Sequence, residues 1–107
     1  MPNRRIEVLT FGGCPNANTA QALVGRVVAS LGVEAEVASI RVPDVDTAER
    51  LRFLGSPTIR VDGRDVQPDA AGRADYALAC RMYATASGPS NLPEEDWLRA
   101  ALYESRE

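Results

Sequence analysis

The apolar positions of this chain change period several times, and the changes mark its elements. "RRIEVLTF" (residues 4–11) alternates around Ile6, Val8 and Thr10, which predicts a strand, and Gly12-Gly13 breaks it. From Pro15 the apolar positions become Ala20, Leu23, Val24, Val27, Val28 and Leu31, spaced by threes and fours. That spacing predicts an amphipathic helix with proline in its first turn and Gly32 as its stop. Alternation returns in "EAEVASIRV" (34–42), a second strand closed by Pro43. In "DVDTAERLRFLG" Asp46 and Glu49 have capping-box spacing, which predicts a short helix ended by Gly55. "PTIRVDGRDV" (57–66) reads as two β runs joined through a hairpin turn at Asp62-Gly63. Residues 68–90 follow as an irregular insertion, polar and rich in small residues, around one apolar patch at Tyr76–Tyr83. Asn91 and Glu94 repeat the capping-box spacing, and Trp97, Leu98, Ala101 and Leu102 form the stripe of a last helix.

The order β-α-β-α-β-β, insertion, α predicts an α/β sheet with both parallel and antiparallel members. The 107 residues contain no repeat, low-complexity tract or linker, so one domain over 1–107 is expected. Hydrophobic residues make up 45% of the chain, enough for a core and too many for disorder.

Charge and composition narrow the chemistry. The net charge is −3, and the 12 basic residues are all arginines, dispersed along the chain. Phosphate neutralisation needs a concentrated positive face, so no nucleic-acid partner is expected. The apolar run at the N-terminus is short and interrupted by Glu7, which fits neither a signal segment nor a membrane span. A cytoplasmic protein follows, with thiols kept reduced, so its two cysteines are not a structural staple by default. The absence of histidine removes Ser-His-Asp and Cys-His catalysis and His-ligated metals. The absence of lysine removes Schiff-base chemistry. Cys14, Cys80, three tyrosines, hydroxyls and carboxylates remain, and neither a cofactor nor a bound metal is expected.

Three features together resemble the thioredoxin-like fold: the element order, Cys14-Pro15 opening the first helix, and "GSPT" (55–58) before the third strand. The likeness covers roughly residues 4–67 and the last helix, and extends to small bacterial thioredoxin-fold proteins that begin with a strand and "GCP". It implies a mixed four-stranded sheet, β-α-β-α-β-β-α, with helices on both faces. It also implies that Pro57 is a cis-proline lying against the active-site cysteine, with Pro15, Ser56 and Pro57 contacting substrate. One departure matters: the family's Cys-x-x-Cys pair reads here Cys14-Pro15-Asn16-Ala17, so the resolving thiol is missing from the helix.

A thiol at a helix N-terminus faces unpaired N–H groups and the positive end of the helix dipole, which favour the thiolate. Cys14 is therefore the expected nucleophile, against the plainer reading of a small buried residue. Cys80 lies in the apolar "DYALACRMY", where burial is the natural expectation. If the 68–90 segment folds back across the sheet end that carries Cys14, Cys80 becomes the resolving thiol instead. Thiol-disulfide or thiol-peroxide chemistry needs no histidine once the thiolate is formed, and its partner is a thiol or disulfide, protein-borne or small. Two alternatives stay open. Two thiolates suit a soft metal ion as cargo, with Asp75 as the acid of organomercurial cleavage. A non-catalytic interaction module would use Tyr76–Tyr83 as a contact or homodimer surface. Asp75 and Tyr76 otherwise read as a solvated carboxylate and a half-buried ring, and Asp44 and Asp46 as helix-start residues.

Overall fold

The computed structural model describes residues 4–104. β1 (Arg4–Thr10), β2 (Ala35–Arg41), β3 (Thr58–Val61) and β4 (Arg64–Asp65) form a mixed sheet in the order β2-β1-β3-β4. β1 runs parallel to β2 and antiparallel to β3, and β3 is antiparallel to β4. Three α-helices accompany the sheet: α1 (Ala17–Leu31), α2 (Val45–Arg50) and α3 (Glu95–Glu104). The period-two pattern of β1 divides the core. Ile6 and Val8 pack with Leu23, Val24 and Val27 of α1 and with Leu98 and Leu102 of α3, whereas Leu9 packs with Val42, Ala48 and Phe53.

Several caps differ from the sequence expectation. α1 begins at Ala17, so Pro15 lies before the helix and not in its first turn, while Gly32 does end it (φ 65°). α2 is capped by Asp44, whose carboxylate accepts from the Thr47 amide at 2.8 Å, and not by an Asp46–Glu49 box. It ends before Gly55 as well. The Phe53 amide reaches back to the Ala48 carbonyl and the Arg52 amide to that of Glu49, a Schellman closure with Arg52 in the left-handed region (φ 57°). Glycine is the usual occupant there, and an arginine raises the free energy by roughly 1–2 kcal/mol. The Arg60 guanidinium then donates to the Leu51 and Arg52 carbonyls, completing the helix end. At α3 the Asn91 and Glu94 side chains turn elsewhere, to the Arg81 carbonyl and the Ala86 amide, so no capping box forms.

The Asp62-Gly63 hairpin forms as expected, both residues having positive φ (52° and 87°) as a type I′ turn requires. The insertion is more ordered than its composition suggests. A short 3-10 turn at Ala70–Gly72 is followed by β5 (Tyr83–Thr85) and β6 (Gly88–Ser90), a separate antiparallel hairpin. Between them, residues 77–81 run alongside residues 53–56. The Ala77 amide donates to the Phe53 carbonyl, the Ser56 amide to that of Ala79, and the Arg81 amide to that of Ser56 (3.0, 2.8 and 2.9 Å).

Gly55 makes this close approach possible. Its φ is 119°, and a Cβ there would lie 2.9 Å from Arg81 Cβ and 3.1 Å from the Ala79 carbonyl oxygen. Gly55→Ala is expected to destabilise the protein by about 2 kcal/mol or more, from the strained φ and the clash together. Gly63→Ala is the control, because its φ is also positive but nothing lies within 4 Å of a Cβ. Equal losses for the two variants in urea unfolding would refute the close-packing account of Gly55.

Candidate active site

Cys14 lies in the loop between β1 and α1. Its amide donates to the Phe11 carbonyl at 3.2 Å, and its own carbonyl accepts from the Ala17 amide at 3.4 Å. These two successive turns put the half-buried thiol three residues before the first helical residue. Asn16, not Cys14, stands at the entrance to the helix. The expectation of a thiol opening the helix is corrected by one turn, because the Gly12-Gly13 and Pro15-Asn16 turns take up the intervening chain.

β1 and β3 pair antiparallel with Leu9 opposite Thr58. The chain that follows Leu9 and the chain that precedes Thr58 therefore leave the sheet at the same end. β2 also finishes there, since the Val42 amide donates to the Thr10 carbonyl. Its last residue, Arg41, lays its guanidinium over Gly12, where any side chain would collide with it.

The Ser56-Pro57 peptide is cis. Ser56 forms an isolated parallel bridge with Cys80, so the insertion returns to the sheet end that the Cys14 loop occupies. Ser56 and Pro57 are buried, and both backbone polar groups of Ser56 are engaged by residues 79 and 81. Of the three residues expected to face substrate, Pro15 alone is exposed.

Cys80 is exposed, against the expectation of burial. Residues 80–83 are extended and alternate: Cys80 and Met82 face out, Arg81 and Tyr83 face in. An apolar run that reads as core is thus a ribbon with one buried charge. The Arg81 side chain is 1% exposed and pairs with Asp65, itself 11% exposed. Its Nη1 donates to Asp65 Oδ2 (2.7 Å) and Thr58 Oγ1 (3.0 Å), and its Nη2 to Asp65 Oδ1 (3.2 Å) and Gln67 Oε1 (2.6 Å). The guanidinium lies 4.3 Å from the Tyr83 ring centroid, and the Tyr83 hydroxyl donates to the Pro57 carbonyl at 2.5 Å. Burial pushes the Tyr83 phenol well above its ordinary value, so it stays a proton donor at any physiological pH. This network fixes both chains that flank the Ser56–Cys80 bridge. Sequence reasoning missed it because nothing in the spacing of Thr58, Asp65, Gln67, Arg81 and Tyr83 marks them as neighbours.

Asp75 is solvated as expected, and the Arg73 guanidinium donates to it at 2.6 and 3.0 Å. That hydrogen bonding holds its carboxyl below the usual range. The pairing with Arg73 favours the carboxylate form of Asp75 over the protonated acid. Both thiols are free. No helix among the described residues is long and apolar enough to cross a membrane. Neither a protein-family model nor a curated protein sequence matches the chain.

Proposed function

We propose that this chain is a thioredoxin-like redox protein, with helices on both faces of its sheet, in which Cys14 is the nucleophile and Cys80 the resolving thiol. The observation that carries this reading is the Ser56–Cys80 bridge at the sheet end from which the Cys14 loop emerges. It supplies a second thiol from a distant part of the sequence, in place of the one absent from Cys14-Pro15-Asn16-Ala17. The cis Ser56-Pro57 peptide at the same end fits the family likeness.

The chemistry balances with a disulfide as oxidant. The Cys14 thiolate attacks one sulfur of R–S–S–R′, forming Cys14–S–S–R and releasing R′S⁻. The Cys80 thiolate then attacks the Cys14 sulfur and expels RS⁻, leaving Cys14–S–S–Cys80. Two protein thiols are oxidised, one substrate disulfide is reduced by two electrons, and an external thiol pair reverses the change. The substrate is small or carries an exposed disulfide. An extended peptide cannot add to the Ser56 backbone, because residues 79 and 81 already bond it.

Treating reduced protein with a small disulfide, followed by non-reducing peptide mapping, tests the pairing. Expected is an intramolecular Cys14–Cys80 disulfide whose yield does not depend on protein concentration. Persistence of the mixed disulfide on Cys14 with Cys80 still free would refute the resolving role of Cys80. Failure of Cys14 to react in the folded protein would refute the redox reading altogether.

A further inference from the structure

The far end of β3 carries a cavity that the redox chemistry does not use. Its volume is about 420 Å³, within the range of small-molecule sites, and none of Cys14, Ser56, Pro57 or Cys80 lines it. Its walls come from the Schellman turn after α2, the β3–β4 hairpin, the 3-10 turn and α3. Two aromatic rings, Tyr76 and Trp97, and the apolar Leu54 supply its apolar wall.

The charges along that wall do not cancel. Four arginines line the cavity in a protein whose overall charge is −3. Arg60 is held by the carbonyls that end α2, and Arg73 by Asp75. Arg52 and Arg64 are exposed, and their guanidinium groups have no hydrogen-bond or ion-pair partner among the described residues. Two carboxylates also line the cavity. Asp65 is neutralised by Arg81, while Asp69 is exposed and likewise without an arginine partner. Two free guanidinium groups against one free carboxylate leave an excess of positive charge beside two rings. Arg52, moreover, occupies a left-handed position (φ 57°) that glycine would fill without strain. A cation thus stands where the backbone favours glycine.

From this combination we infer that the cavity binds a small monoanionic aromatic molecule, an aryl carboxylate or sulfonate. Arg52 and Arg64 take the anion, and its ring packs against Trp97, Tyr76 and Leu54. Arginine suits the task because its planar donors meet a carboxylate or sulfonate in two parallel hydrogen bonds. The inference is independent of the cysteine chemistry and stands or falls without it.

The test uses 8-anilinonaphthalene-1-sulfonate as probe and N-phenyl-1-naphthylamine, which has the same rings without the sulfonate, as its neutral counterpart. Trp97 is the only tryptophan of the chain, so energy transfer from it reports occupancy. Expected is saturable one-to-one binding of the sulfonate, about tenfold tighter than the neutral compound. Arg52→Gly and Arg64→Ser are each expected to weaken it by about tenfold. Arg52→Gly should at the same time raise Tm by about 4 °C or more, showing that lost binding is not lost folding. Equal affinity for both compounds, no saturable binding, or sulfonate binding unchanged in both variants would overturn the assignment.

Discussion

Asp65→Ala is expected to remove about 3–5 kcal/mol of folding stability, a large share of what a domain of this size possesses. The reason lies in what it would leave behind. Both η nitrogens of the Arg81 guanidinium bond the Asp65 carboxylate, and the group is screened from water by Tyr83 and the sheet edge. Without the carboxylate, the cation keeps only the neutral acceptors Gln67 and Thr58. An uncompensated buried charge is far more destabilising than the intact pair is stabilising. The double variant Asp65→Ala, Arg81→Met should therefore recover at least half of the loss, because both charges are then gone. Urea unfolding followed through Trp97 fluorescence measures all three proteins. A single-variant loss below ~1 kcal/mol, the range of exposed pairs, would show that the guanidinium reaches water after all.

If the proposed redox reading holds, Cys14→Ser is expected to abolish disulfide turnover, by on the order of 10³-fold or more, since it removes the proposed nucleophile. Cys80→Ser should behave differently. The first thiol exchange proceeds at its normal rate, and the protein then accumulates as a stable mixed disulfide on Cys14. Rapid-mixing release of the first thiol from a chromogenic disulfide separates the two steps. Turnover surviving in Cys14→Ser, or lost equally at the first step in both variants, would contradict the division of labour between the thiols.

Most of the sheet and its helices are legible in the sequence, because their signals are local. Alternation at Ile6 and Val8, the three-four spacing from Ala20 to Leu31, and Asp62-Gly63 each specify structure within a few residues. Boundaries failed where two local signals competed. Asp44 and Asp46 both cap plausibly, but only Asp44 sits with its carboxylate against the Thr47 amide. Gly55 looks like a helix stop, yet the chain had already turned at Arg52, a residue that no propensity would choose. The hairpin at Tyr83–Ser90 is not legible in the sequence because its strands have three residues each, and the second, Gly88-Pro89-Ser90, is built of residues that disfavour strands. Of the candidate site, the cis peptide before Pro57 agrees with the expectation drawn from the family likeness. The exposure of Cys80 is not legible, because "ALACRMY" is apolar at every position but Arg81 and Arg81 is the residue expected to face water. Its inward residues are Arg81 and Tyr83, and tertiary partners distant in sequence, Asp65, Gln67 and Thr58 for the guanidinium and the Pro57 carbonyl for the phenol, hold that orientation.

The two margins of the sheet are unequal, and this bears on how the molecule meets its own copies. On one side β4 offers only two residues, too few to template an added strand. On the other, β2 presents seven, with Val37 exposed beside Glu36. Glu36 pairs with Arg5 of β1, and Arg41 closes the strand with a further charge. A second copy added parallel and in register along that margin would set Glu36 against Glu36 and Arg41 against Arg41, so the two charged side chains of β2 act as a guard against parallel strand-by-strand stacking where the fold is otherwise most open to it.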